Sequence, residues 1–208
     1  MAMTMSAARA GTIPYANIGI INLDTYAFTA ESTGTLTAYF YGSTAGDHET
    51  LTITDATSGA SATDLFPNQT TAIGATATLA TTAGDTLVFS IDVEETGNTI
   101  SSVPSANGDG DQHVYSTAFA GGTVGGPTDS GSSAAYIPAG TYIGFEDTLA
   151  GDLSDFNYAD EQFVFTDTAI STNGGAAQIT DAPEPASMMV LGSAFAGIGF
   201  ARRKRRAA

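Results

Sequence analysis

Between Glu146 and Glu161 the chain places six carboxylates and one Asn within 16 residues: Glu146, Asp147, Asp152, Asp155, Asn157, Asp160 and Glu161. No Lys or Arg occurs from residue 11 to residue 182, so these groups would repel strongly if they converged. Bound Ca²⁺ is the simplest remedy, because it takes about six to eight oxygen ligands from carboxylates, amides and backbone carbonyls. Asp152, Asp155, Asn157 and Asp160 follow one another at spacings of three, two and three. That is not an EF-hand loop, which alternates its ligands, carries a central Gly and closes on a Glu. The plainer alternative stays open: Asp and Asn build tight turns by bonding their own backbone, so the run could be a solvated corner between two strands. Glycosidases also use paired carboxylates, but they usually surround them with aromatic platforms, and this chain has no Trp. With no Ser-His-Asp order, nucleophile elbow or zinc motif either, no enzymatic activity is expected.

Other candidates are weaker. His48 and His113 are the only histidines, too few for a His-rich metal site, and each is expected in a surface or edge role. Asn107-Gly108-Asp109-Gly110-Asp111 has the composition of a Ca²⁺ loop without a Glu at the expected distance. Tyr39 and Tyr41 flank Phe40 and could face a ligand, though sheet packing explains the stripe equally well. Asn68-Gln69-Thr70 matches a glycosylation acceptor, a match with little meaning if the host is bacterial.

The elements that must hold the acidic run are strands. Ile18–Leu23, Leu36–Tyr41, Leu51–Thr54, Ala75–Ala80, Thr86–Val93, His113–Phe119, Gly140–Phe145 and Gln162–Thr168 are short segments rich in Thr, Val, Ile, Tyr and Phe, most of them bounded by Gly, Asn, Asp or Ser. No long window before the tail has a 3.6-residue period. The expected fold is therefore all-β, an antiparallel β-sandwich or jelly roll over residues 11–170. Ser101–Gly110 and Gly121–Ser133 are expected as surface loops, and residues 171–182 as a flexible linker. There is no Cys, so disulfides and thiolate chemistry are excluded.

The acidic run sits in a context that resembles the DUF4114 family, which is common on secreted bacterial surface and matrix proteins. The resemblance rests on Ile143-Gly144-Phe145-Glu146-Asp147, then Asp155-Phe156-Asn157-Tyr158, then Asp160-Glu161-Gln162-Phe163-Val164-Phe165. The matching positions are Glu146, Asp147, Asp155, Asn157 and Asp160. Here Tyr158-Ala159 separates Asn157 from Asp160 where that family often has Asn-Asp adjacent, and Glu161 could take the place of Asp160.

The last residues determine where the chain goes. Pro183-Glu184-Pro185 precedes an uncharged apolar run over 186–201 and then Arg202-Arg203-Lys204-Arg205-Arg206. A helix of that run, at about 1.5 Å per residue, would be a marginal transmembrane span. The five cations would keep its end cytoplasmic and leave the body of the chain on the far side of the inner membrane. This order resembles the PEP-CTERM sorting signal of Gram-negative bacteria that make exopolysaccharide. The resemblance implies processing near Pro183-Glu184-Pro185 by an exosortase, a membrane cysteine transpeptidase. At the other end, Met1–Ala10 looks like the remnant of a signal peptide closing on Ala8-Arg9-Ala10, with the true start expected upstream.

All six Lys and Arg lie at Arg9 and in the terminal cluster, whereas 21 of the 22 carboxylates, all but Glu184, lie within residues 11–182. Such a polyanion is a very poor partner for nucleic acid or anionic membrane surfaces. The expected function is a non-enzymatic exported protein of the cell envelope or extracellular polysaccharide matrix. The alternative is a Ca²⁺-dependent carbohydrate-binding or adhesion module.

Overall fold

The inward face of each central strand is set by simple alternation. In β1 (Thr25–Ala30) Tyr26, Phe28 and Ala30 are buried, in β3 (Glu49–Asp55) Leu51 and Ile53, and in β6 (Thr86–Val93) Leu87, Phe89, Ile91 and Val93. Period-two burial of this kind produces a sheet with one face toward the core. These strands belong to a six-stranded sheet in the order β13-β1-β6-β3-β4, where β4 is Ser61–Leu65, β13 is Thr168–Asn173, and β7 (Asn98–Ser101) pairs with β6.

A five-stranded sheet faces it: β5 (Thr76–Thr81), β2 (Gly34–Ser43), β12 (Glu161–Thr166), β11 (Gly140–Phe145) and β8 (Val114–Phe119). Leu36, Ala38 and Phe40 of β2, Ile143 and Phe145 of β11, and Phe163 and Phe165 of β12 pack into the same core as the first sheet. All strand pairings are antiparallel, and no α-helix occurs among the described residues. The computed structural model describes residues 13, 15–128, 131–149 and 154–173. The signal-peptide remnant, Asp152, the sorting signal and the span expected at 186–201 lie outside them. Among the described residues no helix is long and apolar enough to cross a membrane.

Three expectations are corrected. Ile18–Leu23 is turn and loop, not strand, and exposes Ile18, Ile20 and Leu23. Gly19 there takes a φ of +84° that a strand cannot use. Gly121–Ser133, expected as loop, contains β9 (Gly122–Thr128) and the start of β10 (Gly131–Ile137). Val124 and Ile137 of this hairpin cover Tyr41, Tyr142 and Val164 on the outer face of the second sheet. β11 and β12 are thus buried on both faces, which is why they read as nearly continuous apolar runs. Finally, β12 stops at Thr166. Asp167, at φ +63°, turns the chain across to the first sheet, where β13 pairs with β1 and extends three residues into the expected linker.

Candidate cation site

Two connections meet at one end of the sandwich. Glu146 and Asp147 follow β11, Asp160 precedes β12, and Glu161 opens it. Glu49 opens β3 on the opposite sheet. It shares the inward parity of Leu51 and Ile53, just as Glu161 shares that of Phe163 and Phe165, so each glutamate continues a core stripe with a carboxylate. Glu49 is 1% exposed and Glu161 0%. No N–H or O–H group of another residue donates to either oxygen of either side chain, although a protonated Glu49 can donate to Asp147. Ligand-capable oxygens of Glu146, Asp147 and Asp160 lie within 4.8 Å of one another. These groups line an open cleft of about 300 Å³ with Thr44 and Asp47.

Repulsion and burial act together here. Burial above all, then the nearby carboxyls of Asp147, Glu161 and Asp160, pushes Glu49 up to about 11. Asp160 is raised to about 8 by burial and then by Asp147 and Glu146. Burial holds Glu161 well above the usual carboxylate range and raises Glu146. No Lys or Arg occurs among the described residues to relieve them, and His48 is exposed and engaged with Glu95. Uncompensated carboxylates of this kind must take up a proton or a cation.

The outer part of the acidic run is spent differently. Asp155 Oδ1 accepts from the Asn157 backbone N–H at 3.0 Å and Oδ2 from the Asn157 amide at 2.8 Å, while Asn157 Oδ1 accepts from the Ala159 N–H. Glu146 accepts from Ser154 Oγ at 2.8 Å and from the Asn157 N–H at 3.1 Å, tying the turn to the end of β11. These are Asx-turn bonds of the structural kind. The run therefore divides: Asp155 and Asn157 shape the turn, Asp147 and Asp160 line the cleft, where they accept from Thr148 Oγ1 and from the Asp147 N–H, and Glu161 is buried in the core as Glu49 is.

The turn is strained at two non-Gly positions, Phe156 at φ +47° and Tyr158 at φ +54°. Its anchor is the buried Tyr158 hydroxyl, which accepts from the Asn22 N–H at 2.7 Å and donates to the Gln112 carbonyl at 3.1 Å. Gly144 of β11 is required beside it, because a Cβ there would collide with the Tyr158 carbonyl.

Sequence reasoning missed Glu49 and the residue that holds it. Asn68 Oδ1 accepts from the Glu49 N–H at 3.1 Å, its Nδ2 donates to the Asp47 carbonyl at 2.8 Å, and the Asn68 N–H bonds the Glu49 carbonyl. Asn68 is fully buried, so it is a clamp and not an accessible glycosylation site. The available signal for Glu49 was its place one alternation before Leu51. His113, expected at a surface or edge, is also fully buried, with Nε2 3.0 Å from Asp109. Asn107 uses its side chain to close its own loop on Ser101 and Asp111. Tyr41 is buried beneath the β9–β10 hairpin, and Tyr39 packs against the same cluster.

A family model described as the PEP-CTERM protein-sorting motif matches residues 181–206. No curated protein matches the chain. No solved structure matches it. The motif marks an exported protein, anchored transiently at the membrane and sorted by an exosortase to the cell surface.

Proposed function

We propose that this chain is a non-enzymatic structural protein of the cell envelope or extracellular polysaccharide matrix, released from its membrane tail by the exosortase. The sorting motif at 181–206 carries this reading. The segregation of charge supports it: a body free of Lys and Arg from residue 11 to residue 182 suits a hydrated polyanionic matrix, and nearly all the positive charge lies in the tail. Fusing residues 171–208 to an exported reporter in an exosortase-bearing host tests the sorting step. Replacing Pro183, Glu184 and Pro185 by Ala should abolish surface delivery, and unaffected delivery would sink the reading. Fractionating the full chain between envelope and matrix, with and without the host's exopolysaccharide, tests the destination.

A second reading, a Ca²⁺-dependent carbohydrate-binding or adhesion module, draws on the open cleft above Asp147 and Asp160. The DUF4114-like character of residues 143–165 favours it as well. Retention of the protein on polysaccharide with Ca²⁺, and its release by chelator, would distinguish it from a purely structural role.

A further inference from the structure

We propose that Glu49, reaching across from the first sheet, joins Asp147, Asp160 and Glu161 to form an inter-sheet Ca²⁺ site that locks this end of the sandwich. In this arrangement the ion sits on the inner half of the acidic run, and the Asp155–Asn157 turn is its outer wall.

The acidic cluster alone would carry little. The independent observation is the pair Glu49 and Glu161, both buried in the core and both with two oxygens that receive no hydrogen bond from an N–H or hydroxyl group. Protonated, Glu49 can donate to Asp147, but Glu161 meets neither an acceptor for its proton nor a donor for its carbonyl oxygen. Ionised, the two would repel each other and Asp147 with no Lys or Arg among the described residues to meet them. A bound cation supplies partners for all these oxygens at once.

The donor set indicates the ion. All four proposed ligands, Glu49, Asp147, Asp160 and Glu161, are carboxylates, with no His or Cys among them, which favours hard cations over zinc or copper. The donors come from strands of both sheets and from the β11–β12 connection, an irregular arrangement. Ca²⁺ tolerates that better than Mg²⁺, which demands near-octahedral geometry and keeps its waters. The cleft gives an entry path from solvent. Extracellular Ca²⁺ modules work with a Kd of about 10⁻⁴–10⁻³ M, a range suited to a protein that meets the ion after export. The carboxylates outnumber the charge of one Ca²⁺, and a stoichiometry of either one or two ions satisfies the assignment.

Calorimetric titration of the full chain in detergent, stripped with chelator and then given Ca²⁺ or Mg²⁺, is the test. Saturable Ca²⁺ binding that raises the melting temperature is expected, with Mg²⁺ weaker. E49Q and E161Q should each weaken Ca²⁺ binding by about 100-fold or more, beyond what outer-shell changes cost, while D155N, in the outer wall, weakens it far less. Absence of binding overturns the proposal, as does binding that D155N abolishes and E49Q spares. Should both glutamine variants fail to fold, amide exchange on the wild-type chain decides. Ca²⁺ should slow exchange at the starts of both β3 and β12, and slowing confined to residues 154–158 would place the ion on the outer turn and refute the inter-sheet site.

Discussion

Glu49 and Glu161 stand on opposite sheets at the same end of the core, each buried and each without an N–H or hydroxyl donor for either carboxylate oxygen. Because they extend the inward stripes of β3 and β12, the charge problem they create cannot be solved by rotating a side chain into solvent.

The first prediction concerns pH in the absence of divalent metal. Glu49 is pushed up to about 11 and Asp160 to about 8 in the folded chain, against ordinary values of 4.5 and 3.8. Below the ordinary values both states hold their protons and the folded state loses nothing. As pH rises from there through the folded values, the unfolded chain releases protons that the folded chain retains, so stability falls. In chelator, the melting temperature should therefore drop between about pH 5 and about pH 8. A flat or rising calorimetric profile over that window would contradict the burial of these carboxyls.

The second prediction isolates the support of the turn. Gly144→Ala places a methyl group against the Tyr158 carbonyl and the Tyr142 hydroxyl. Overpacking of this kind costs about 1–3 kcal/mol. Gly34→Ala, at an exposed strand start with open space around it, is the control and should change little. Urea denaturation of both variants against wild type checks the difference.

How much of this was legible varies with the kind of force involved. Gly140–Phe145 and Thr86–Val93 are strands over the ranges their apolar content and bounding residues indicated, because burial alone selects them. The β9–β10 hairpin was not legible. Gly, Ser and Ala carry no periodicity, and the hairpin rests on its backbone ladder with Val124 and Ile137 as its buried contacts on the sheet. Ile18–Leu23 misled in the opposite direction, as apolar residues that the fold leaves exposed. At the site, local density exposed Glu146 to Glu161, but density says nothing of which side chains point inward. Glu49 comes from a distant stretch that only the packing of one sheet on the other brings near.

A third prediction tests how the first residues of the domain are tied to the acidic turn. Tyr158→Phe removes the hydroxyl that accepts from Asn22 and donates to Gln112. It leaves both backbone groups unpaired near the core, where each such loss costs about 1–3 kcal/mol. The ring remains to pack against Tyr15, so the chain should still fold, with a lower denaturation midpoint and faster amide exchange at Asn22. Unchanged exchange at Asn22 would show that the hydroxyl does not hold the segment.

Asn68 supplies the last prediction, because it holds the backbone of Glu49 from both sides without belonging to the acidic group. Its amide oxygen takes the Glu49 N–H, its amide nitrogen reaches Asp47, and its own N–H takes the Glu49 carbonyl. Asn68→Ala keeps the last of these bonds and removes the other two, at a cost of about 1–3 kcal/mol for the buried Glu49 donor. Asn68→Asp keeps the acceptor toward Glu49 but sets a carboxylate against the Asp47 carbonyl, adding a further buried negative charge to an end of the sandwich where no Lys or Arg occurs among the described residues. It should therefore destabilise the metal-free chain more than Asn68→Ala does, although the shapes of Asn and Asp are nearly the same. Thermal melts of the two variants in chelator give the order, and an Asp variant as stable as wild type would mean that this end of the sandwich is not short of positive charge.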